Sequence, residues 1–266
     1  MAFSYYMVQL PPMLLFLLIV SISGISTGLA TYLFRKYIKV NILRAHNEVT
    51  GFFFMAIAGF YALMLSFVVF VVWDELNEIQ HNLSLEGNSA LSLYRDIKFY
   101  PDSIESNKLN TVYLDFIYNV INEEIPNMAK MQQSEKTGKS FDKLFYTIEN
   151  LHPKNPYQVQ LSFEMFTKLN ELAMYRGLRN SSINTEIPAP IWIPILLGAL
   201  ITLICAILVD IENLKLHVLL NSLLGTFIGM LIFIIIVFDH PFTGSLAIKP
   251  DSYMQIFVIN EFEKNN

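Results

Sequence analysis

Cysteine is all but missing. Cys205 stands alone, which excludes an intramolecular disulfide and any cysteine-based zinc site, and its place inside an apolar run reads as packing. Charge is thin as well, at 15% of 266 residues against 53% hydrophobic, too little polar surface to cover a water-soluble globule of this length. The net charge of −5 gives no basic field for nucleic acid, and neither a Gly-rich phosphate loop nor a nucleophile motif occurs. Glu123, Glu124 and the scattered histidines form no recognisable acid–base or metal constellation, so the chain is not expected to be an enzyme or to hold a metal or cofactor.

What the sequence has in quantity is uninterrupted apolar length. Residues 12–34, 49–73, 187–209 and 218–238 carry no charge, and each is long enough to cross a hydrocarbon core of about 30 Å, which takes roughly 20 helical residues. Backbone groups in lipid must be satisfied within the segment, and no ten-residue alternation of a barrel is present, so these runs predict helices. The expected fold is an all-α membrane protein: four transmembrane helices in two hairpins, with a four-helix extramembrane domain between spans two and three. Its parts are a first hairpin (1–73), the helical domain (74–186), a second hairpin (187–238) and a C-terminal turn with a short amphipathic helix (239–266). No Lys or Arg precedes the first apolar run, so it reads as a span rather than a cleaved signal.

Residues 35–44 hold four basic side chains, Arg35, Lys36, Lys39 and Arg44, and no acidic one. Short loops rich in Lys and Arg stay cytoplasmic, which places the helical domain on the extracytoplasmic face of a bacterial inner membrane.

Past Trp73 the apolar face of span two continues through Leu76, Ile79, Leu83, Ala90, Tyr94 and Ile97, which predicts one helix of about 50 residues, roughly 75 Å long at ~1.5 Å per residue. Gly87 is its expected kink and Pro101 its stop. Asp102 or Ser103 caps the next helix, which Pro126 bends or ends. A third helix is expected after a linker around Gly138, capped by Ser140, and a fourth begins with Asn155 as cap and Pro156 at its first position.

Three features suggest function. Gly24 and Gly28 in span one, and Gly225 and Gly229 in span four, place small residues one turn apart, for packing within the chain or between subunits. In span two, Phe53, Ile57, Phe60, Met64, Phe67 and Val71 form a bulky stripe. It suits either plain helix and lipid packing or, around an axis of several copies, a hydrophobic constriction that gates by dewetting. The opposite face carries the small residues Gly51, Ala58, Ala62 and Ser66. Just beyond lie Asp74, Glu75 and Glu78, either a solvated face or a carboxylate ring favouring cations. Tyr61 sits at mid-membrane depth, where its hydroxyl needs a partner, Thr202 or a span-one serine. No span carries a charged residue, which argues against a proton pump or ion-coupled carrier.

The order His46, Asn47, Glu48 and Gly51, then an aromatic span with Tyr61 ending at Trp73, then Glu86, Tyr94 and Arg95, then Trp192 and Gly198, and last Asp239, Pro241, Phe242 and Gly244, resembles the bestrophin-like bacterial membrane family. The resemblance covers almost the whole chain. It implies a homo-oligomeric ion channel, with lipid around it, inorganic ions as the permeant species and the second span of each subunit lining the pore. A non-conducting membrane-anchored interaction or signalling module is the alternative. The resemblance also implies a cytoplasmic helical domain, opposite to the charge reading, and no match to an acidic calcium clasp is present.

Overall fold

The computed structural model describes residues 6–38, 46–244 and 247–264, and all secondary structure among them is helical. Lys39 and Arg44 of the basic loop lie outside the described residues. The helices are α1 (Pro12–Tyr37), α2 (Asn47–Lys98), α3 (Ser103–Asn119), α4 (Ile125–Met128), α5 (Glu135–Glu149), α6 (Pro156–Ser181), α7 (Ala189–Leu208), α8 (Leu214–Phe238) and α9 (Asp251–Lys264). Of these, α1, α2, α7 and α8 are long and apolar enough to cross a membrane. The chain divides into two compact units, Met1–Leu76 with Glu186–Leu246 and Asn77–Thr185 with Ala247–Asn266, and α2 contributes to both.

Within the first unit the tightest seam joins α1 to α8 rather than neighbours in sequence. A Cβ placed on Gly24 would meet the Thr226 hydroxyl, on Gly28 that of Ser222, and on Gly229 that of Ser23; on Gly225 it would meet Thr27 and lie 2.8 Å from the Ser23 carbonyl oxygen. Helices in lipid gain nothing from hiding apolar surface from water, so close backbone approach of this kind supplies the attraction. The α1 hydroxyls of the seam are satisfied within their own helix: Ser23 donates to the Ile19 carbonyl (2.8 Å), Thr27 to Ser23 (2.7 Å) and Thr31 to Thr27 (2.9 Å). Both glycine pairs are thus occupied inside one chain.

In the second unit one core takes Leu93, Tyr94 and Ile97 from α2, Leu109, Tyr113 and Phe116 from α3, Leu144 and Ile148 from α5, Met165, Leu169 and Leu172 from α6, and Tyr253 and Ile256 from α9. Asp102 caps α3, its carboxylate accepting from the Ile104 and Glu105 amides, and Asn155 caps α6 by accepting from Gln158. The cap of α5 differs from the sequence expectation. Ser134, not Ser140, accepts from the Thr137 amide, and Gly138 already lies in the helix, its amide donating to the Ser134 carbonyl at 3.2 Å. Nothing presses on Gly138, so its cost inside the helix is only a glycine's extra backbone entropy, about 1 kcal/mol. Pro126, which cannot donate an amide, follows a π turn at Val120–Glu124. Helix α2 runs through Gly87 as α-helix, and there a Cβ would strike the Ser252 side chain of α9.

Candidate functional site

Span two of α2 uses a narrow face inside its own unit. Tyr61, Leu65 and Val72 are buried with Ile195 and Ala199 of α7 and Ile228 and Ile235 of α8. The Tyr61 hydroxyl donates to the Ile195 carbonyl at 3.1 Å, neither to Thr202 nor to a span-one serine. Its ring lies where Gly198 has no side chain: a Cβ there would be 2.6 Å from the Tyr61 ring. Trp73 meets the Phe238 ring at 5.3 Å between centroids. Two bulky aromatics therefore set how α2 lies against α7 and α8.

The predicted stripe falls largely outside this contact. Phe53, Phe60, Phe67 and Val71 are 58%, 77%, 70% and 51% exposed, while Ile57 and Met64 are half-buried. Phe53, Phe60, Phe67 and Asp74 recur every seventh residue, so they fall close to one line along the helix, and all four are exposed. On the small face Gly51 and Ala58 are half-buried, whereas Ala62 and Ser66 are exposed, and nothing lies within 4 Å of a Cβ added to Gly51 or Gly59. Asp74 and Glu78 are exposed and Glu75 half-buried. Among the described residues no group of three or more His, Cys, Asp or Glu side chains is placed to hold a metal.

At one end of the first unit a polar knot ties three segments together. Asn47 donates to the Asp210 carbonyl (3.1 Å) and accepts from the Asp210 amide (2.7 Å), so its side chain holds the α7–α8 turn. Arg35 forms an ion pair with Asp210 and donates to the Ile211 carbonyl at 2.8 Å. His46 and Glu48 are exposed. The knot has no periodic signature: its parts are far apart in sequence, and Arg35 stands out there only as one of the basic residues of the first loop.

At the other end, the Asp239 carboxylate accepts from the Ile187 amide at 2.6 Å. Burial pushes its pKa up to about 6, against that hydrogen bond and with help from Glu186 and Glu75. His240 is buried, with Nδ1 3.7 Å from Glu186 and no hydrogen-bond partner at Nε2, and burial holds its pKa below the usual histidine value. Pro241 and Phe242 are buried. Gly244 has φ +82°, and a Cβ there would meet the Val8 carbonyl, so two constraints require glycine.

The remaining family-motif positions divide. Trp192 is half-buried in the first unit, and Arg95 is exposed near the end of α2. Tyr94 packs on Tyr113 with centroids 6.0 Å apart. Glu86 is fully buried in the second unit and faces Arg179, whose Nε and Nη2 donate to its two oxygens at 2.6 and 2.9 Å. Arg179 also donates to Glu124 (2.9 Å), Arg176 forks onto Glu124 (3.0–3.2 Å), and the Tyr253 hydroxyl donates to Glu86 at 2.6 Å. Burial disfavours the Arg179 charge, but Glu86 and Glu124 outweigh it and raise its pKa; burial and Glu86 raise that of Tyr253. Two glutamates facing two arginines make this cluster charge-balanced. Sequence reasoning marked Glu86 as a motif position but missed the cluster, because its partners lie far away in the chain.

A family model described as a bestrophin-like domain matches residues 22–253. Two mutant forms of a bacterial bestrophin homologue from Klebsiella pneumoniae share the fold. One is 12% identical, with a TM-score of 0.65, covering 91% of this chain and 96% of its own; the other is 14% identical, with a TM-score of 0.59, covering 94% and 98%. Among curated proteins none matches. With four membrane-length helices, the shared fold and a model match over most of its length, the chain belongs to the bestrophin-like family.

Proposed function

We propose that this chain is one subunit of a homo-oligomeric ion channel or channel-like pore in which span two of each copy lines the path. The observation that carries the reading is the line Phe53, Phe60, Phe67 and Asp74, exposed in the isolated subunit while Tyr61, Leu65 and Val72 hold the helix on its own chain. Lipid accepts any apolar side chain, so exposure alone does not call for an axis. A row that recurs every seventh residue over three heptads, drifting only about 20° per heptad, and ends in a carboxylate has the regularity of a helix facing a shared centre.

In such a ring Phe60, Met64 and Phe67 form a dewetting constriction, and Asp74, Glu75 and Glu78 a mouth that favours cations. Purified protein in planar bilayers conducts under this reading, and Phe60→Ala and Phe67→Ala raise the conductance by removing bulk. Silence in wild type and both variants overturns it, and a monomer without current favours the membrane-anchored interaction module instead.

The chain is placed in the bacterial inner membrane with its helical domain extracytoplasmic, on the strength of the basic first loop. Arg35 is neutralised by Asp210, which leaves Lys36, Lys39 and Arg44 to carry that bias. An impermeant thiol reagent on intact cells labels Ser103→Cys in a Cys205→Ser background if the placement holds. Labelling only after lysis reverses it to the arrangement that the bestrophin resemblance implies.

A further inference from the structure

The first unit contains a groove of about 620 Å³ between α1, α7 and α8, lined by Leu18, Ile22 and Ser26 on α1, Trp192 and Leu196 on α7, and Ile236 on α8. Its size falls within the usual range of small-molecule sites, and its lining is almost wholly apolar. Ser23 and Ser26, the two serines of the lining, do not ask for a polar ligand. Ser26 donates to the Ser23 carbonyl at 3.1 Å and Ser23 to the Ile19 carbonyl at 2.8 Å, so both hydroxyls are satisfied within their own helix.

Position narrows the occupant further. Trp192 lies near the start of α7 and Ile236 near the end of α8, which mark one edge of the spanning region, where tryptophan favours the headgroup level. From Leu18 to Ser26 the groove follows α1 inward for about 12 Å at ~1.5 Å per residue. That is close to one leaflet's share of a hydrocarbon core of about 30 Å. No residue of α2 lines it.

We infer that this groove binds one acyl chain of a bilayer phospholipid, its headgroup at Trp192 and its methyl end towards Ser26. Lining atoms beside an empty gap would forfeit their dispersion contacts, and at this depth the available filler is hydrocarbon. The inference needs the spans to lie in a bilayer but not α2 to conduct, so current recordings and lipid labelling fail independently.

The test reconstitutes the protein in phosphatidylethanolamine–phosphatidylglycerol vesicles containing a trace of phospholipid with a diazirine in its acyl chain, followed by irradiation and peptide mapping. Cross-links concentrate on the segments around Ile22, Ser26 and Leu196, above those at the exposed α8 residues Leu219 and Leu223. The double variant Ile22→Trp, Ser26→Phe loses the groove cross-links and keeps those at Leu219 and Leu223. Ile22 and Ser26 are exposed, so filling the groove leaves the α1–α8 seam intact, and the wild-type labelling pattern stands as a readout of its own. Labelling no denser in the groove than at Leu219 and Leu223, or unchanged by the double variant, overturns the inference. So does an unlabelled groove whose Ser26→Cys side chain cross-links to a second copy.

Discussion

The α1–α8 seam and the open face of α2 are built from equally apolar helices, yet they are put to opposite uses. In the seam, small residues at one-turn spacing let two backbones meet, and every gap is filled by a serine or threonine of the facing helix. On α2, Phe53, Phe60 and Phe67 turn away from the chain and Gly59 faces open space, while Tyr61 and Trp73 hold the helix in place. Composition alone does not separate them; position on the helix face does. Small residues commit α1 to α8, Tyr61, Leu65 and Val72 commit the inner face of α2, and the exposed Phe53, Phe60 and Phe67 mark a surface available to something outside the chain.

The contrast can be broken first in the second unit, where committed groups are charged. Arg179→Met leaves Glu86 and Glu124 buried around an apolar side chain, and removing one member of such a cluster costs about 3–5 kcal/mol. A large drop in the thermal midpoint of the detergent-solubilised protein is expected, and an unchanged midpoint removes the cluster from the account. Next comes the seam. Gly225→Leu drives a side chain into the backbone of α1 and costs about 3 kcal/mol, whereas Gly59→Leu on the open face stays within about 0.5 kcal/mol. Equal losses in the two variants would erase the distinction between the surfaces.

A smaller effect, in pH, sharpens how the Asp239 end is held. Its folded pKa of about 6 lies above the unfolded value near 3.8, so the folded state binds the proton more tightly. Asp239 therefore stabilises in acid and loses that contribution as pH rises through about 6. His240, with its pKa lowered, acts in the opposite sense: its contribution is full above the ordinary histidine value of 6.5 and fades as pH falls. Asp239→Asn should remove the decline in thermal midpoint between pH 4 and 6 and leave only the rise due to His240. A profile unchanged by the substitution contradicts the assignment. The smallest change is Tyr61→Phe, which removes one buried hydrogen bond and costs about 1 kcal/mol, measured by denaturant or thermal titration in detergent.

The parts of this architecture legible in the sequence were those with a period or a local rule. Four membrane-length helices follow from uninterrupted apolar runs, and the caps at Asp102 and Asn155 from residue type and position. Ser140 misled because a glycine at 138 resembles a linker when its surroundings are unknown. Partnership was not legible: glycine spacing shows that a helix can approach another closely without saying which, and the seam joins helices about 200 residues apart. Nor was the pairing of Arg35 with Asp210, or of Glu86 with Arg179 and Tyr253. A charge shows its partner only when the chain has folded back on itself, and none of these five residues stands near its partner in sequence.

If the Phe60 line faces a water-accessible path shared by several copies, a thiol placed on it reacts from the aqueous phase. In a Cys205→Ser background, Phe60→Cys on α2 and Leu219→Cys on α8 are both exposed in the subunit and both at apolar positions. A charged, water-soluble thiol reagent applied during bilayer recording should modify Phe60→Cys and change the current, and leave Leu219→Cys untouched. Equal reactivity of the two cysteines, or no effect on current from modifying Phe60→Cys, would contradict the account.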